Sequence, residues 1–327
     1  MGARMTDGRT ADDPLVSVVL PTYDRPTFLR SAVESVAAQT YPNVELIVVD
    51  DYSPTPAART IDEDSLGSSI TLRVLRGEEN RGANAARNEG IQAARGEYVA
   101  FLDDDDRWEP EKLERQVEAF QQGGTDVGVV CVGQRFIDEN DRLTQRRLPT
   151  TTGDVAEDAL QGAVLGPFST IMVRAEVIET VGPPDERFPA WQDREWHVRL
   201  AQHYRYATLP EPLTIRRVGT HDAIGNDYEA QREAASLYLS EHRSLAAGYG
   251  RDVKRKVSAN AYSSVASVAL AAGRYRECTR YSLKALRYDP LATEYYAYLL
   301  VSIGGPRALE FVRTIRRTYH RSSERLG

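Results

Sequence analysis

Gly96-Glu-Tyr-Val-Ala-Phe-Leu-Asp-Asp-Asp-Asp-Arg-Trp-Glu-Pro110 is the stretch that decides how the rest of this 327-residue chain is read. A short apolar run, Tyr98 to Leu102, stops at four consecutive carboxylates, Asp103 to Asp106. Trp108 follows, then a Pro110 placed to open a helix. Four adjacent acids on a solvated loop repel one another and gain nothing. At the carboxyl end of a buried strand they sit where open α/β sheets bind ligands. Crowded carboxylates there suit a hard divalent cation, Mg²⁺ or Mn²⁺, which brings a phosphate with it. Taken alone, the run reads equally well as a solvated turn, and the residues before it tip the balance.

Upstream, Val16-Ser-Val-Val-Leu20 is a nearly continuous apolar run of strand length, followed by the loop Pro21-Thr-Tyr-Asp-Arg-Pro26. From Thr27 the apolar positions Phe28, Leu29, Ala32, Val33, Val36 and Ala37 recur at helical spacing, and the helix ends near Gln39. Val44-Glu-Leu-Ile-Val-Val49 is a second buried strand, closed by Asp50-Asp51. Strand, loop, helix and strand in so short a span make a parallel βαβ unit. Ile70 to Leu75 reads as a third strand. It leads to Asn80-Arg-Gly-Ala-Asn-Ala-Ala-Arg-Asn-Glu-Gly90, where Gly82 and small alanines suit a close backbone approach before a helix running to Ala94. Glu97 to Leu102 is then the strand that delivers the acids.

Downstream the pattern changes. Val127 to Val132 is another apolar run, Asp138 to Gly153 is polar, and Ser169 to Val173 is a short strand. Trp191-Gln-Asp-Arg-Glu-Trp-His-Val-Arg-Leu-Ala201 opens a helix, and Ala207 to Pro210 and Leu213 to Val218 are two extended pieces. After Asp227 the reading is helical: Tyr228–Ala247, Val253–Ala272, Tyr275–Tyr288, Ala292–Ile303 and Ala308–His320. Residues 271–290 resemble half of a tetratricopeptide-like hairpin, but one copy does not make a repeat array, and a small bundle is expected. The domain reading is a polar leader over 1–14, an α/β domain over 15–226 and a helical region over 227–327.

Composition bounds the function. Apolar content of 41% and charged content of 27% describe an ordinary globular protein. There is no long apolar run for a transmembrane helix and no apolar signal core near Met1. Two scattered cysteines, Cys131 and Cys278, support neither a disulfide framework nor a zinc site, so a reduced, cytoplasmic setting is expected. The net charge of −7 is uneven: from Gly250 on, fifteen Lys/Arg face six Asp/Glu, leaving −16 on the first 249 residues. The acidic balance gives no reason to expect a nucleic-acid partner.

Three strand ends carry polar residues: Thr22-Tyr23-Asp24, Asp50-Asp51 and Asp103–Asp106. In a parallel sheet they line one crevice. The first loop is not G-x-G-x-x-G, and no G-x-x-x-x-G-K-[ST] occurs, which removes the dinucleotide fingerprint and the P-loop. What remains is a nucleotide site built on carboxylates and a metal.

Pro21-Thr-Tyr-Asp-Arg-Pro26, Val48-Val-Asp-Asp51, Asn80-Arg-Gly-Ala with Ala-Arg-Asn88, Gly90, and Phe101-Leu-Asp-Asp-Asp-Asp106 resemble the ordered motifs of family 2 glycosyltransferases. The similarity spans Val16 to Val218. It implies the GT-A fold, a Rossmann-like, mainly parallel sheet flanked by helices, here with an α-helical appendage. It also implies an inverting, metal-dependent transfer from a nucleoside diphosphate sugar, UDP-linked by preference, to a glycan or lipid-linked acceptor hydroxyl in surface polysaccharide biosynthesis or protein glycosylation. By the same resemblance Pro21, Thr22, Tyr23, Asp24, Asp50 and Asp51 surround the nucleotide, with Asp50 suited to a uracil imide and Asp104 facing the ribose. Asp103 and Asp105 match the D-x-D pattern, Asp105 being the expected ligand of Mn²⁺ or Mg²⁺. Arg87 and Asn88 shape the crevice, or simply pack and cap their helix.

Asp193, in Trp191-Gln-Asp-Arg-Glu195, matches the family's catalytic base, although this chain shows Gln192-Asp193 where the family commonly shows Glu-Asp. Glu195 is the alternative base, and capping of the following helix is the plainer role for Asp193. His221 is a candidate to approach the leaving diphosphate or the acceptor, against the simpler reading of a surface histidine. Two rival classes are a nucleotidyltransferase, which would want a Gly-rich, Lys/Arg-bearing first loop, and a non-catalytic nucleotide-sugar-binding scaffold. The basic helical region, with Arg313, Arg316, Arg317 and Arg321 near one helical face, suits peripheral contact with an anionic membrane at its inner face. Docking onto the acidic domain or a second subunit is the alternative.

Overall fold

The structure, a computed structural model, describes residues 13–67, 70–163, 165–218 and 227–307. Most of the leader, His221 and the arginines beyond Arg307 therefore lie outside the described residues. The described chain forms two compact units, one of residues 13–159, 165–186 and 192–218, the other of 160–163, 187–191 and 227–307. Two short segments, 160–163 and 187–191, thus cluster with the helical region and not with the α/β residues around them.

The first unit starts with β1 (Val16–Thr22), α1 (Pro26–Ala37), β2 (Val44–Asp50), β3 (Ile70–Arg76), α2 (Ala83–Ala93) and β4 (Tyr98–Phe101). Every residue of β1, β2 and β4 is buried, as expected of parallel strands covered on both faces. β1 lies between β2 and β4, parallel to both, with β3 outside β2. Thr22 and Asp50 are register partners, and Leu102 N donates to Val19 O, so the three loops leave one sheet edge together. The polar Ser17 and Glu45 are buried because they hydrogen-bond each other, and Ser17 Oγ also accepts from Gly96 N at 2.8 Å.

Beyond β4 the sheet is mixed. The remaining elements are β5 (Asp106–Trp108), α3 (Lys112–Gly123), β6 (Val127–Ile137), β7 (Leu143–Arg147), α4 (Ala156–Leu160), β8 (Ile171–Arg174), α5 (Ala175–Val181), α6 (Gln192–Ala201) and β9 (Arg205–Arg217). The nine strands run β3-β2-β1-β4-β8-β6-β9-β5, with β7 on β6. β8 is antiparallel to β4 and β6, β9 parallel to β6, and β5 antiparallel to β9.

Three expectations are corrected here. The acid run is not all loop, because Asp106 begins β5 and pairs with Arg216 of β9. The two extended pieces after Ala207 are one strand. Pro210 and Pro212 fall where its pairing with β6 slips, between Val132 and Gln134, the place a sheet tolerates proline. The polar 138–153 segment contains β7, whose five residues are all exposed and so carry no burial period to read.

α1 and α3 cover one face of the sheet, joining Leu20, Leu46, Val48 and Tyr98 to Leu29, Val33, Leu113 and Phe120 in one core cluster. α2 covers the other face, over Ile47 and Val49. The close approach in α2 is at Gly90, where an added Cβ would stand 2.4 Å from Val19 Cγ1 and 3.1 Å from Val49 Cγ2. Gly82 meets nothing within 4 Å; its φ of 91° is what requires glycine.

In the second unit α7 (Tyr228–Gly248), α8 (Arg251–Ala271), α9 (Tyr275–Tyr288) and a helical stretch over 293–307 follow the expected helices closely. Asp227 caps α7, accepting from Glu229 N and Ala230 N. Tyr228, Val265, Ala269, Cys278 and Tyr281 form its core, and Ala259, Ala285 and Tyr295 form a second cluster. Among the described residues no helix is long and apolar enough to cross a membrane. Because Gly90 sits directly on β1, Gly90→Ala is expected to destabilise the chain by about 1–3 kcal/mol in urea unfolding. An unchanged midpoint would show that α2 can move away from Val19 without cost.

Candidate functional site

The loop after β1 faces the acid run. Pro21 and Thr22 are buried at the end of the strand, while Tyr23 and Asp24 are exposed. Thr22 Oγ1 donates to Asp104 Oδ2 at 2.8 Å, and Arg25 Nη1 donates to Asp104 Oδ1 at 3.2 Å, with Asp105 Oδ2 3.8 Å away. Asp24 adopts a positive φ of 50° and its N–H donates to Ser53 Oγ at 2.9 Å, tying this loop to the one after β2.

Asp50 is buried at the end of β2. Oδ1 accepts from Ser53 N at 2.8 Å; Oδ2 accepts from Ala57 N at 2.9 Å and from Arg76 Nη1 at 2.6 Å. Burial pushes this carboxyl up, but the Ser53 and Ala57 hydrogen bonds and the Arg76 guanidinium outweigh it and hold the group below the usual carboxylate range. Asp51 turns the other way. Its oxygens accept from Arg81 N at 2.8 Å and Gly82 N at 2.7 Å, so it holds the turn that launches α2.

The four aspartates have four different surroundings. Asp103 is the most accessible and accepts from Arg87 Nη2 at 2.7 Å. That guanidinium is itself buried, lying 3.8 Å over the Phe168 ring, and its Nη1 donates to Asn84 Oδ1 at 2.9 Å. For Asp104, burial raises the carboxyl to about 6; Thr22 and Arg25 pull downward, and Asp105 and Asp103 push further up. Asp105 is half-buried between them. Asp106 is 1% exposed, and among the described residues neither oxygen has a hydrogen-bond partner. Burial first, then Asp105, raise its carboxyl well above the ordinary range; Arg216 opposes this, with a small pull from the nearby Ser169 hydroxyl, which lies outside hydrogen-bond geometry.

One carboxylate oxygen each from Asp103, Asp105 and Asp106 lie within 4.8 Å of one another. Three hard oxygens, one of them on a buried side chain with no donor, fit a divalent cation. Across β5 and β9, Arg216 is the register partner of Asp106. Burial would lower its guanidinium, but Asp106, Asp105, Asp103 and Asp193 raise it. One cation therefore lies in the field of both the acid cluster and Asp193.

Asp193 stands in the first turn of α6, partly exposed, with Oδ1 accepting from Arg194 N at 2.7 Å. Glu195 is buried and accepts a fork from Arg199, at 2.8 Å from Nε and 2.9 Å from Nη2. Arg199 also donates to Val181 O and Pro183 O. Glu195 thus orders the turn after α5. His197 is buried in the same helix. Its Nε2 faces Gly166 O at 2.8 Å, so it carries the proton, and Nδ1 accepts from Tyr206 OH at 2.9 Å. Burial lowers its pKa, which fits the neutral form. Asn88 Nδ2 donates to Pro184 O at 3.0 Å and Glu186 Oε1 at 2.9 Å, a packing role.

Arg25, Arg76 and Arg216 stand at the site although the motifs do not single them out, and the motifs give Asp106 no separate part. Arg25 and Arg76 lie just past a strand and at the end of one, where a signal was available; Arg216 acquires its place only through the β5–β9 pairing. A cavity of about 750 Å³ opens beside the ends of β2 and β3, lined by Asp51, Arg76, Gly77, Arg81 and Ala86 among others. It adjoins the Asp50–Arg76 pair.

The sequence profile of Glycosyl transferase family 2 matches residues 17–182. A Bacillus subtilis protein, TuaG, by name a teichuronic acid biosynthesis glycosyltransferase, is 29% identical over 231 residues, covering 70% of this chain and 89% of its own length. A Nostoc glycosyltransferase, alr2836, is 35% identical over 210 residues, covering 62% of this chain and 64% of its own length. Among solved structures, S. aureus TarS 1-349 with UDP-GlcNAc aligns with a TM-score of 0.58 at 18% identity, over 86% of this chain and 91% of that one. The mannosyltransferase PcManGT from Pyrobaculum calidifontis, with GDP-Man and Mn²⁺, aligns at 0.55 and 19% identity, over 90% and 87%. The fold is that of GT-A glycosyltransferases, and the chain belongs to glycosyl transferase family 2.

Asp106→Asn supplies an amide that can donate to its acidic neighbours. In EDTA it is expected to raise the melting temperature by a few degrees, on the order of 1–3 kcal/mol. The stabilisation that Mn²⁺ adds should shrink. A lower melting temperature in EDTA with the Mn²⁺ increment intact would make Asp106 an ordinary structural acid.

Proposed function

We propose that this family 2 glycosyltransferase is inverting and metal-dependent. In this reading it moves a sugar from a UDP-linked donor to a hydroxyl of a glycan or lipid-linked acceptor in polysaccharide biosynthesis. The observation that carries the reading is the convergence of carboxylate oxygens from Asp103, Asp105 and Asp106 within 4.8 Å beside Arg216, a guanidinium whose field Asp193 also shares. The TuaG name supports the pathway class, and the UDP-GlcNAc held by TarS supports the donor class.

Tyr23 would offer its exposed ring to the base. Asp50 keeps lone-pair capacity beyond its own hydrogen bonds and would accept the imide N–H. Asp104, raised by burial, would hold a ribose hydroxyl. Asp51, beside Asp50, would face the nucleotide while its oxygens hold the Gly82 turn. Asp105 and Asp103, with Asp106 behind them, would hold Mn²⁺ or Mg²⁺, which when bound neutralises charge on a departing diphosphate.

Arg216 and Arg25 add fixed positive charge on the same side. Asp193, accessible and on a rigid helix, accepts the proton of the acceptor hydroxyl as that oxygen bonds to the anomeric carbon. The bond from that carbon to the diphosphate oxygen breaks with its electron pair on the leaving group. A single displacement inverts the centre and uses no enzyme nucleophile. Glu195, locked to Arg199, is not positioned for this task. The reading puts the enzyme in the cytoplasm, in peripheral contact with the inner face of an anionic membrane.

Incubation with a panel of nucleotide sugars should release nucleoside diphosphate from one UDP-sugar, and EDTA should abolish release. Asp105→Ala and Asp193→Asn should each lower turnover about 10²–10⁴-fold. Only the Asp105 variant should lose metal-dependent UDP binding by calorimetry. Full turnover in either variant would overturn the assignment.

A further inference from the structure

The second unit carries a surface that its own packing does not explain. In α9, Cys278, Tyr281, Ser282 and Ala285 are buried, while Arg276, Arg280, Leu283 and Arg287 are exposed. Those four are spaced by four, three and four residues, so they line one side of the helix. The helical stretch 293–307 repeats the arrangement: Tyr295 and Ser302 are buried, and Tyr296, Leu300 and Ile303 stand 44%, 69% and 70% exposed. Arg307, also exposed, follows just past the left-handed turn at Gly305. Leu291, in the turn between them, is 87% exposed. Single exposed leucines are ordinary; a helical line of them on a hairpin already bearing an arginine line is not.

The charge selects the occupant. From Arg274 to Arg307 six Lys/Arg face three Asp/Glu, and the sequence of residues 308–327 adds five arginines against two glutamates. A second copy docked isologously would bring this positive face against itself, and like charges across an interface are costly. A nucleic-acid strand would meet the arginines, but the exposed leucines and isoleucine give its bases no stacking platform. An anionic lipid surface satisfies both features, with guanidinium groups at the headgroup phosphates and aliphatic side chains at the acyl boundary. We propose that the outer face of α9 and residues 291–307 is a docking surface for anionic membrane lipid. It gives the peripheral contact in the preceding reading a physical basis, yet it rests on no catalytic residue. Loss of vesicle binding would leave nucleotide-sugar turnover untouched, and the converse also holds.

The test is co-sedimentation of the full chain with phosphatidylcholine vesicles made with or without phosphatidylglycerol. Binding is expected only with phosphatidylglycerol and should weaken as salt rises. Leu300→Glu/Ile303→Glu, at exposed positions, should abolish it with the circular dichroism spectrum and melting temperature unchanged. Arg276→Ala/Arg280→Ala/Arg287→Ala should weaken it by about 100-fold, roughly fivefold per arginine. Any of three results would overturn the proposal: no binding by the wild type, binding that survives the Leu300/Ile303 pair, or light scattering showing a dimer that this pair dissolves without vesicle binding.

Discussion

Four adjacent aspartates crowd one sheet edge, and much of the first unit is arranged to set cationic and polar groups against them. Arg87 takes Asp103, Thr22 and Arg25 take Asp104, and Arg216 stands across the strand pair from Asp106. Asp50 repeats the solution one strand away, with Arg76 and two backbone N–H groups. These counter-groups come from the loop after β1, the end of β3, α2 and β9. The surroundings of the acid run are therefore complete only where elements distant in sequence meet. A buried carboxylate without such partners would change its protonation state or leave the interior.

The same demand gives the site its rigidity. Arg87 reaches Asp103 from a position stacked on Phe168, and Phe168, Phe101 and Trp196 form one aromatic cluster with centroid distances of 5.5 to 5.9 Å. Phe101 is the last residue of β4, two before Asp103; Trp196 lies three after Asp193 in α6. The side that would hold the metal and the side that would take the proton are thus joined through dry, tilted ring contacts. Trp196 Nε1 donates to Gly182 O at 2.9 Å, and the Glu195–Arg199 fork fixes the same turn. A base carried on such a helix keeps its distance from the crevice without depending on a mobile loop.

How much of this was legible in the sequence follows from what each residue contacts. β1, β2 and β4 were readable because strands covered on both faces are uninterrupted apolar runs, and their polar ends announced the edge. β5 was not, because three residues containing an aspartate and an arginine carry no period, and their strand character comes from β9. β7 was not, because all its side chains face solvent. The division of labour within the acid run was equally hidden. Four identical residues give four identical letters, and only the fold makes Asp104 a hydrogen-bonded group and Asp106 a buried one. Glu195 looked like a base by proximity to Asp193; two residues of helix, about 200° of rotation, turn it away from the side Asp193 occupies and toward Arg199.

Asp106 shows why such a cluster persists. Its burial without a donor is a strained arrangement for the isolated protein, since replacing any one carboxylate with a neutral group would relieve the repulsion. Arg216 relieves part of it, but from across a strand pair and shared among four acids. What remains is a crowd of carboxyls in which the buried Asp106 favours the protonated form, held in place by a core whose stability derives from elsewhere: the Leu20, Leu46 and Phe120 cluster on one face and the Gly90 contact on the other. A strain of that kind is tolerated where the missing counter-charge arrives with a ligand. Were a cation to bind there, its seating would relieve the crowding of these carboxyls, so that binding and local stability would be one equilibrium.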